Sequence, residues 1–579
     1  MNTLIKIPTS NNIEKYIEST GLKPGVTIEE LKTEINKFLE NYKPLKSKLI
    51  SILNKSKKIL LYGDYDVDGC GAVTIMYKFL KALGKDVEVV IPNRSDGYGI
   101  NQELFDKDKY DTCIFCDCGI SDVNNLKQIK NKNNNVIVID HHTENPEVNN
   151  YVDVLFKPKD LNISTGGLCY LFTELLNQEF KKLYEPLAPY ACLTQISDMM
   201  ELKDIGYYIA RLGYLQLEKN KNTKTILNKL LFNKNFTSED LAFSVIPVLN
   251  AASRMTEDSK MLFEVLNNPT QENLNILKEA NKQRKELQSS IVKDVQNIIE
   301  TANSSGNQES DKVIIQDKDD KLTIAIKKPN SKNNLISSVK QYLENSKLIL
   351  VIQTRKSIIL VDNTGQIQHG LLGPVCNELL SKFNISSFVI SKVNGTYAGS
   401  SRSNSVSIYD ILKETKDILG DRWGGHSAAA GFSVKSEDLI PFLEKLVEVT
   451  EKVEEQESRI EIATFNYTEL TDEDIKLLNE LEPFDSFTRP TLGFCGVILN
   501  KQDINDKLTR ATVLLKGNGT KPIMLYNSQK NIAVNKFYAF LTTKLSKNDN
   551  SPIFLRDFSE HFKFVEIESN LKKLNIKVK

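Results

Sequence analysis

The chain has 579 residues, with 75 Lys and Arg against 75 Asp and Glu, so its formal net charge at pH 7 is zero. At about 100–200 residues per domain this length predicts several domains, and 40% hydrophobic with 26% charged residues excludes a disordered chain. No run reaches the roughly 18 apolar residues of a membrane span, and eight cysteines are too few for a disulfide scaffold in so long a chain.

Residues 1–55 read as a helical segment, with apolar residues every three or four positions in IEELKTEINKFLENYKPLKSKLISIL. The start of the chain has neither the basic head nor the apolar stretch of a secretory leader, which points to the cytoplasm or another reducing space. From residue 56 the pattern changes to short apolar strands, KKILLYG, DVEVVIP, DTCIFCD and NNVIVIDHH, alternating with helical stretches. That alternation predicts βαβ units, a mostly parallel sheet and a multidomain α/β fold. The three closely spaced cysteines Cys113, Cys116 and Cys118 lack the second pair a zinc site needs, and read as reduced thiols lining a strand.

The first α/β domain runs over 56–255, and a long, one-sidedly polar helix over 256–302. The linker TANSSGNQESDK opens a stretch over 303–346 that reads as linker and insertion. A second, smaller α/β domain follows over 347–453. Short strands with turn signals over 454–579 suit a small β-barrel.

Only five histidines occur, and two are adjacent at the end of a strand, in Asp140-His141-His142. Asp64, Asp66 and Asp68 follow another strand, and Asp117 ends a third. The carboxyl edge of an open parallel sheet is where ligands bind. Spaced two apart, the first three aspartates face one way if the backbone stays extended. So many carboxylates at one edge repel unless a cation neutralises them. Oxygen ligands with one or two imidazoles suit Mg²⁺ or Mn²⁺, and a pair of such ions serves in-line phosphoryl displacement. An EF-hand calcium loop is excluded, because Ile75 stands where its glutamate belongs.

Taken together, the motifs resemble the DHH phosphoesterase superfamily and, within it, the RecJ family of single-strand-specific exonucleases. DYDVDG (Asp64–Gly69), PNRSDGYG (Pro92–Gly99), DCG (Asp117–Gly119), DHH (Asp140–His142) and SDMMEL (Ser197–Leu202) follow in family order. PVLNAASRM and NKQRKELQ resemble the end of the catalytic domain and its connecting helix. GLLGPV, GSSRS and GGHSAAAGFS resemble the DHH-associated domain, and LEPFDSFTRP the start of an oligonucleotide-binding (OB) barrel.

The resemblance implies Asp64, Asp66, Asp68, Asp117, His141 and Asp198 as ligands of two divalent ions, Mn²⁺ or Mg²⁺, with Asp117 bridging. It implies His142 at the scissile phosphate, making Asp117, His141 and His142 the catalytic set, with Asp140 orienting a histidine. Arg254, Ser400, Arg402, Gly424, Gly425 and His426 are the substrate-phosphate candidates. Tyr98 is a candidate for base stacking, and Phe494, Arg510, Lys516, Lys521, Tyr526, Lys536, Phe537 and Tyr538 form a candidate track along the barrel. A narrow cleft between the domains, admitting one strand, is expected.

The implied activity is 5′-to-3′ release of nucleoside 5′-monophosphates from single-stranded DNA in repair and recombination, with helicase and single-strand-binding protein as expected partners. Two other readings stand beside it. One is a phosphodiesterase of short oligonucleotides or signalling dinucleotides, whose known forms are generally shorter and lack the barrel. The other is a non-catalytic replication-fork scaffold, which the intact acidic positions oppose. The chain departs from the family pattern at Ser253, Ser401 and Asp485, each where glycine is usual. Gln368 stands where a histidine is usual, which leaves His369 outside the site.

Overall fold

The computed structural model describes the chain from Leu4 to Glu560, apart from residues 9, 131–133, 160, 182–185, 232–235, 257, 305–311, 319–320, 328–347, 394, 421, 454–459, 487, 506–507, 516–518, 527–531, 535, 544–552 and 556. It divides into two compact units: residues 1–250, 258–277 and 458–579 form one, and residues 251–257 and 278–457 the other.

At the centre of the first unit lies a five-stranded, fully parallel sheet in the order 86–90, 58–63, 112–116, 135–139, 154–156. Strands Lys58–Gly63 and Thr112–Cys116 are buried on both faces, which accounts for their unbroken apolar sequences. The chain leaves Lys58–Gly63 for one neighbour, Asp86–Val90, then returns to the other side at Thr112–Cys116. That reversal opens a crevice at the carboxyl ends of 58–63 and 112–116. Helices Val67–Ala82, Thr165–Phe180 and Ala188–Ser197 are apolar on most sides and lie almost wholly in the interior.

The N-terminal segment forms the expected helices, Ile13–Thr20, Ile28–Leu39 and Lys43–Lys55. It also adds a short strand, Leu4–Lys6, paired in parallel with Ile460–Ile462. Near the C-terminus, strands run in the order 553–554, 520–526, 508–515, 492–505, 537–542, 557–560, with 465–466 beside 492–493. Among the described residues the two end strands of this sheet do not pair with each other. Its core, with Phe494, Val513 and Phe540, is continuous with Ile13, Leu202, Tyr207 and Ala210.

The second unit holds an eight-stranded sheet in the order 423–425, 429–435, 396–402, 386–393, 357–362, 348–353, 321–327, 312–318. The 312–327 hairpin, which the sequence marks as an insertion, thus extends this sheet through a parallel ladder between 322–327 and 348–353. Helix Leu372–Phe383 and the Ile291–Ile299 turns of the helix Gln271–Ser304 cover one face. Helix Leu439–Lys452 covers the other. All eight cysteines are free thiols, and among the described residues no helix is long and apolar enough to cross a membrane.

Candidate metal centre

Asp64 follows directly on strand 58–63, and Asp117 on strand 112–116, so the crevice is acidic on both sides. The extended run expected from Asp64 to Asp68 stops at Asp66. There the carboxylate accepts the amides of Asp68 (2.9 Å) and Gly69 (3.2 Å) and starts the helix Val67–Ala82. Gly69 is required at this point, because a Cβ would sit 2.5 Å from the Asp64 carbonyl oxygen. Asp68 lies inside that helix, and both its oxygens accept the first amides of helix Thr165–Phe180, from Thr165 and Gly166 at 2.8 Å each. Asp117 takes a left-handed backbone conformation, φ 63°, while its amide still bonds the Ile139 carbonyl. Its Oδ1 accepts the Thr165 hydroxyl at 2.8 Å.

These carboxylates meet the histidines in three overlapping sets: Asp64, Asp66 and Asp117; Asp68, His141 and Asp198; Asp117, His141 and His142. Within each set the donor atoms lie within 4.8 Å of one another. His141 Nε2 stands 3.4 Å from Asp198, 3.6 Å from Asp117 and 3.9 Å from Asp68. Asp140, fully buried, accepts the Ile120 amide and lies 2.8 Å from His142 Nδ1. With the proton on Nδ1, facing Asp140, His142 presents Nε2 outward.

The electrostatics are those of crowded, buried carboxylates. Burial, followed by neighbouring carboxylates, drives the Asp64 and Asp117 carboxyls well above the usual range. Burial pushes Asp68 up to about 7 despite its amide bonds, and Asp198 up to about 9, with Asp68 and Asp66 adding to it. For Asp140 the burial effect is outweighed by the His142 hydrogen bonds, which hold it below the usual value. Burial and the proximity of His142 bring His141 down to about 4, so it is a neutral donor. Burial lowers His142 as well, but Asp140 outweighs it and the net shift is upward. Asp64 Oδ1 is buried with no hydrogen-bond partner among the described residues. An orphaned carboxylate oxygen, raised carboxyls and a neutral imidazole are the donor set that one or two hard divalent cations would satisfy.

Several contributors escaped the sequence reading. Thr165 and Gly166 hold two of the aspartates, and their signal was the N-cap serine followed by small residues in Ser164-Thr165-Gly166-Gly167. Tyr98, read as a stacking candidate, lies with its hydroxyl 3.1 Å from the Asp117 carbonyl and 3.0 Å from His142 Nδ1. Arg94 stacks 4.2 Å over the ring of Tyr65, the residue between Asp64 and Asp66.

In the second unit Arg402 ends strand 396–402, and its Nη1 donates to Ser400 Oγ (3.1 Å) and the Ser401 carbonyl (2.8 Å). Ser401, in a family glycine position, is buried and bonds the Ala430 carbonyl. Residues 424–428 are exposed at the edge strand. Gly425 has φ 148°, and a Cβ there would meet the Ala429 carbonyl at 2.4 Å. The His426 amide is taken by the same Ala429 carbonyl. Arg254 belongs to this unit and donates to the Gly370 carbonyl at 3.0 Å. Of the proposed barrel track, Phe494 and Tyr538 are core residues and Lys521 is buried. Arg510 is exposed, Lys536 is half-buried, and Lys516 and the side chains of Tyr526 and Phe537 lie outside the described residues.

Comparison with known proteins follows the same division. Residues 58–196 match the model of the DHH family, N-terminal domain, and residues 357–454 that of the DHHA1 domain. The single-stranded-DNA-specific exonuclease RecJ of Bacillus subtilis is 25% identical over 77% of this chain and 53% of its own length. That of Thermus thermophilus is 25% identical over 68% of this chain and 52% of its own. The chain thus spans about half the length of these curated relatives. The crystal structure of Thermus thermophilus RecJ in complex with Mn²⁺ matches 97% of this chain and 80% of its own, with TM-score 0.67 and 17% identity. The Mg²⁺ complex matches with TM-score 0.61 and 16% identity, over 97% and 79%. Two domain signatures in family order, relatives along most of the sequence and a shared fold agree: the chain carries DHH and DHHA1 domains and is similar to RecJ proteins.

Proposed function

We propose that this protein is a metal-dependent exonuclease of single-stranded DNA, acting 5′ to 3′ and releasing nucleoside 5′-monophosphates in DNA repair and recombination. The observation that carries the reading is the convergence of Asp64, Asp66, Asp68, Asp117, His141 and Asp198 at the switch point of the parallel sheet. Asp64, Asp66 and Asp117 would hold one divalent ion, and Asp68, His141 and Asp198 a second, with Asp117 as the shared carboxylate. When bound, Mn²⁺ or Mg²⁺ supplies neutralising charge at the phosphoryl oxygens and acidifies water at neutral pH.

The chain's own residues complete the reaction. Asp140 fixes the ring of His142 and favours its doubly protonated form, which would give its Nε2 proton to the departing 3′-oxygen. The P–O3′ bond breaks, the oxygen of water joins phosphorus as its proton passes to solvent, and the shortened strand keeps a 5′-phosphate. Arg402, Ser400, Arg254 and the Gly424-Gly425-His426 edge are the second unit's candidates for phosphate contacts. The C-terminal sheet, read as an OB-like surface, adds contacts to the unpaired strand. Helicase and single-strand-binding protein fit such a role as partners, and the cytoplasm as its location.

The test is digestion of 5′-labelled single strands, duplexes and dinucleotides with Mn²⁺. Labelled mononucleotide from the single strand alone is expected. Preference for duplex overturns the strand selectivity, and cleavage of dinucleotides alone moves the function to the small-substrate relatives.

A further inference from the structure

Asp198 stands at the end of helix Ala188–Ser197, on a turn that leads through the exposed Met199, in a left-handed conformation at φ 53°, to the buried Leu202. The near end of this turn is tied to its own helix: the amides of Asp198, Met199 and Met200 bond the carbonyls of Thr194, Ile196 and Gln195. The far end is tied to another part of the chain. The Leu202 amide donates to Oδ2 of Asp485, some 280 residues later, in the segment that opens the C-terminal sheet. Asp485 is itself locked, since its Oδ1 accepts the Thr488 amide (2.6 Å) and hydroxyl (2.9 Å). The segment around it is clamped to the same unit. The Glu482 carbonyl accepts Arg211 Nη1, Glu482 Oε2 accepts the Ser238 amide at 3.0 Å, and Arg489 Nη2 donates to the Ser238 hydroxyl at 2.6 Å. Asp485 is 8% exposed and stands where the family pattern has glycine, which has no side chain to make this bond.

We infer that Asp485 is a positioning residue for Asp198, so that the C-terminal segment is a structural part of the metal centre. The carboxylate holds the end of a strained four-residue turn and thereby sets where Asp198 lies against Asp68 and His141. This rests on the reading of Asp198 as a metal ligand. Partners that orient ligands typically govern metal affinity by about 10–100-fold.

The experiment is Mn²⁺ titration calorimetry on the full chain, as wild type, Asp485→Ala, Asp485→Asn and Thr488→Val, with activity followed against Mn²⁺ concentration. Two ions are expected on the wild type. In Asp485→Ala one site weakens about tenfold or more while the other holds, and activity recovers at high Mn²⁺. Asp485→Asn, which keeps an acceptor for the Leu202 amide, recovers most of the affinity. Thr488→Val, which removes the hydroxyl held by Asp485 Oδ1 but keeps the amide, gives an intermediate loss and serves if Asp485→Ala does not fold. Unchanged affinities in all three variants, whatever happens to melting temperature, overturn the inference. A wild type that binds no Mn²⁺ overturns the reading beneath it, and the inference with it.

Discussion

The sheet edge of the first unit and the Arg402–His426 surface of the second are both candidates for binding phosphate, and they are built in opposite ways. At the sheet edge, Asp64, Asp68, Asp117 and Asp140 are almost wholly buried, and backbone amides, a threonine hydroxyl and an imidazole fix their directions. On the second unit, Gly424, Gly425 and His426 are exposed, and Arg402 is held by hydroxyl and carbonyl oxygens with no carboxylate among those hydrogen-bond partners. Buried like charges are tolerable only with a counter-ion, so the first surface is specialised before any substrate arrives. The second is an exposed edge with an arginine beside it, neutralised by no buried carboxylate among those partners. Loss of one group should therefore break chemistry at the first and weaken binding at the second.

The largest effect is expected at the carboxylate common to two of the donor sets. Asp117→Asn should lower kcat by at least about a thousandfold, near 4 kcal/mol of barrier, while the chain stays folded. Because it removes one of several repelling charges, the metal-free variant should melt no lower than the metal-free wild type. Near-normal turnover removes Asp117 from the site. His141→Ala should fall in the same range, measured by single-turnover kinetics.

The next effect separates the surfaces by pH. The carboxyl of Asp198 is raised to about 9 in the folded chain, and those of Asp64 and Asp117 are also raised. A carboxyl whose folded value lies above its unfolded one costs stability progressively as pH rises between the two. The metal-free protein should therefore lose melting temperature from about pH 4 towards pH 9 at this site. Mn²⁺ at a hundred times its pH 7 Kd adds about 2.7 kcal/mol there, and at that same concentration its stabilisation should be larger at pH 8 than at pH 6. Scanning fluorimetry with and without EDTA reads this directly, and a stabilisation that shrinks as pH rises contradicts the buried-charge account.

A smaller effect belongs to the second unit. Arg402→Ala should raise KM for single strands about tenfold, near 1.4 kcal/mol, with kcat within a few-fold of wild type. Collapse of kcat at unchanged KM puts Arg402 in the chemistry instead.

What the sequence disclosed follows the same contrast. Apolar strands ending in acidic residues and histidines made the first sheet and its edge readable, because strand period and strand-end chemistry are local properties. The start of a helix at Val67, which takes in Asp68, depends on Asp66 turning back to cap it. The Thr165–Gly166 support for Asp68 comes from 97 and 98 residues away. The 312–327 hairpin looked like an insertion because nothing local says which strand it pairs with, and it joins the 348–353 edge. Asp485 was visible only as a departure from pattern, and the reason for the carboxylate lies at Leu202.

The central claim is that these side chains hold divalent ions as one centre. Anomalous diffraction from Mn²⁺-soaked crystals tests it most directly. Two peaks are predicted, one among Asp64, Asp66 and Asp117 and one among Asp68, His141 and Asp198. Mn²⁺ found only elsewhere on the chain, with this cluster empty, would contradict the account.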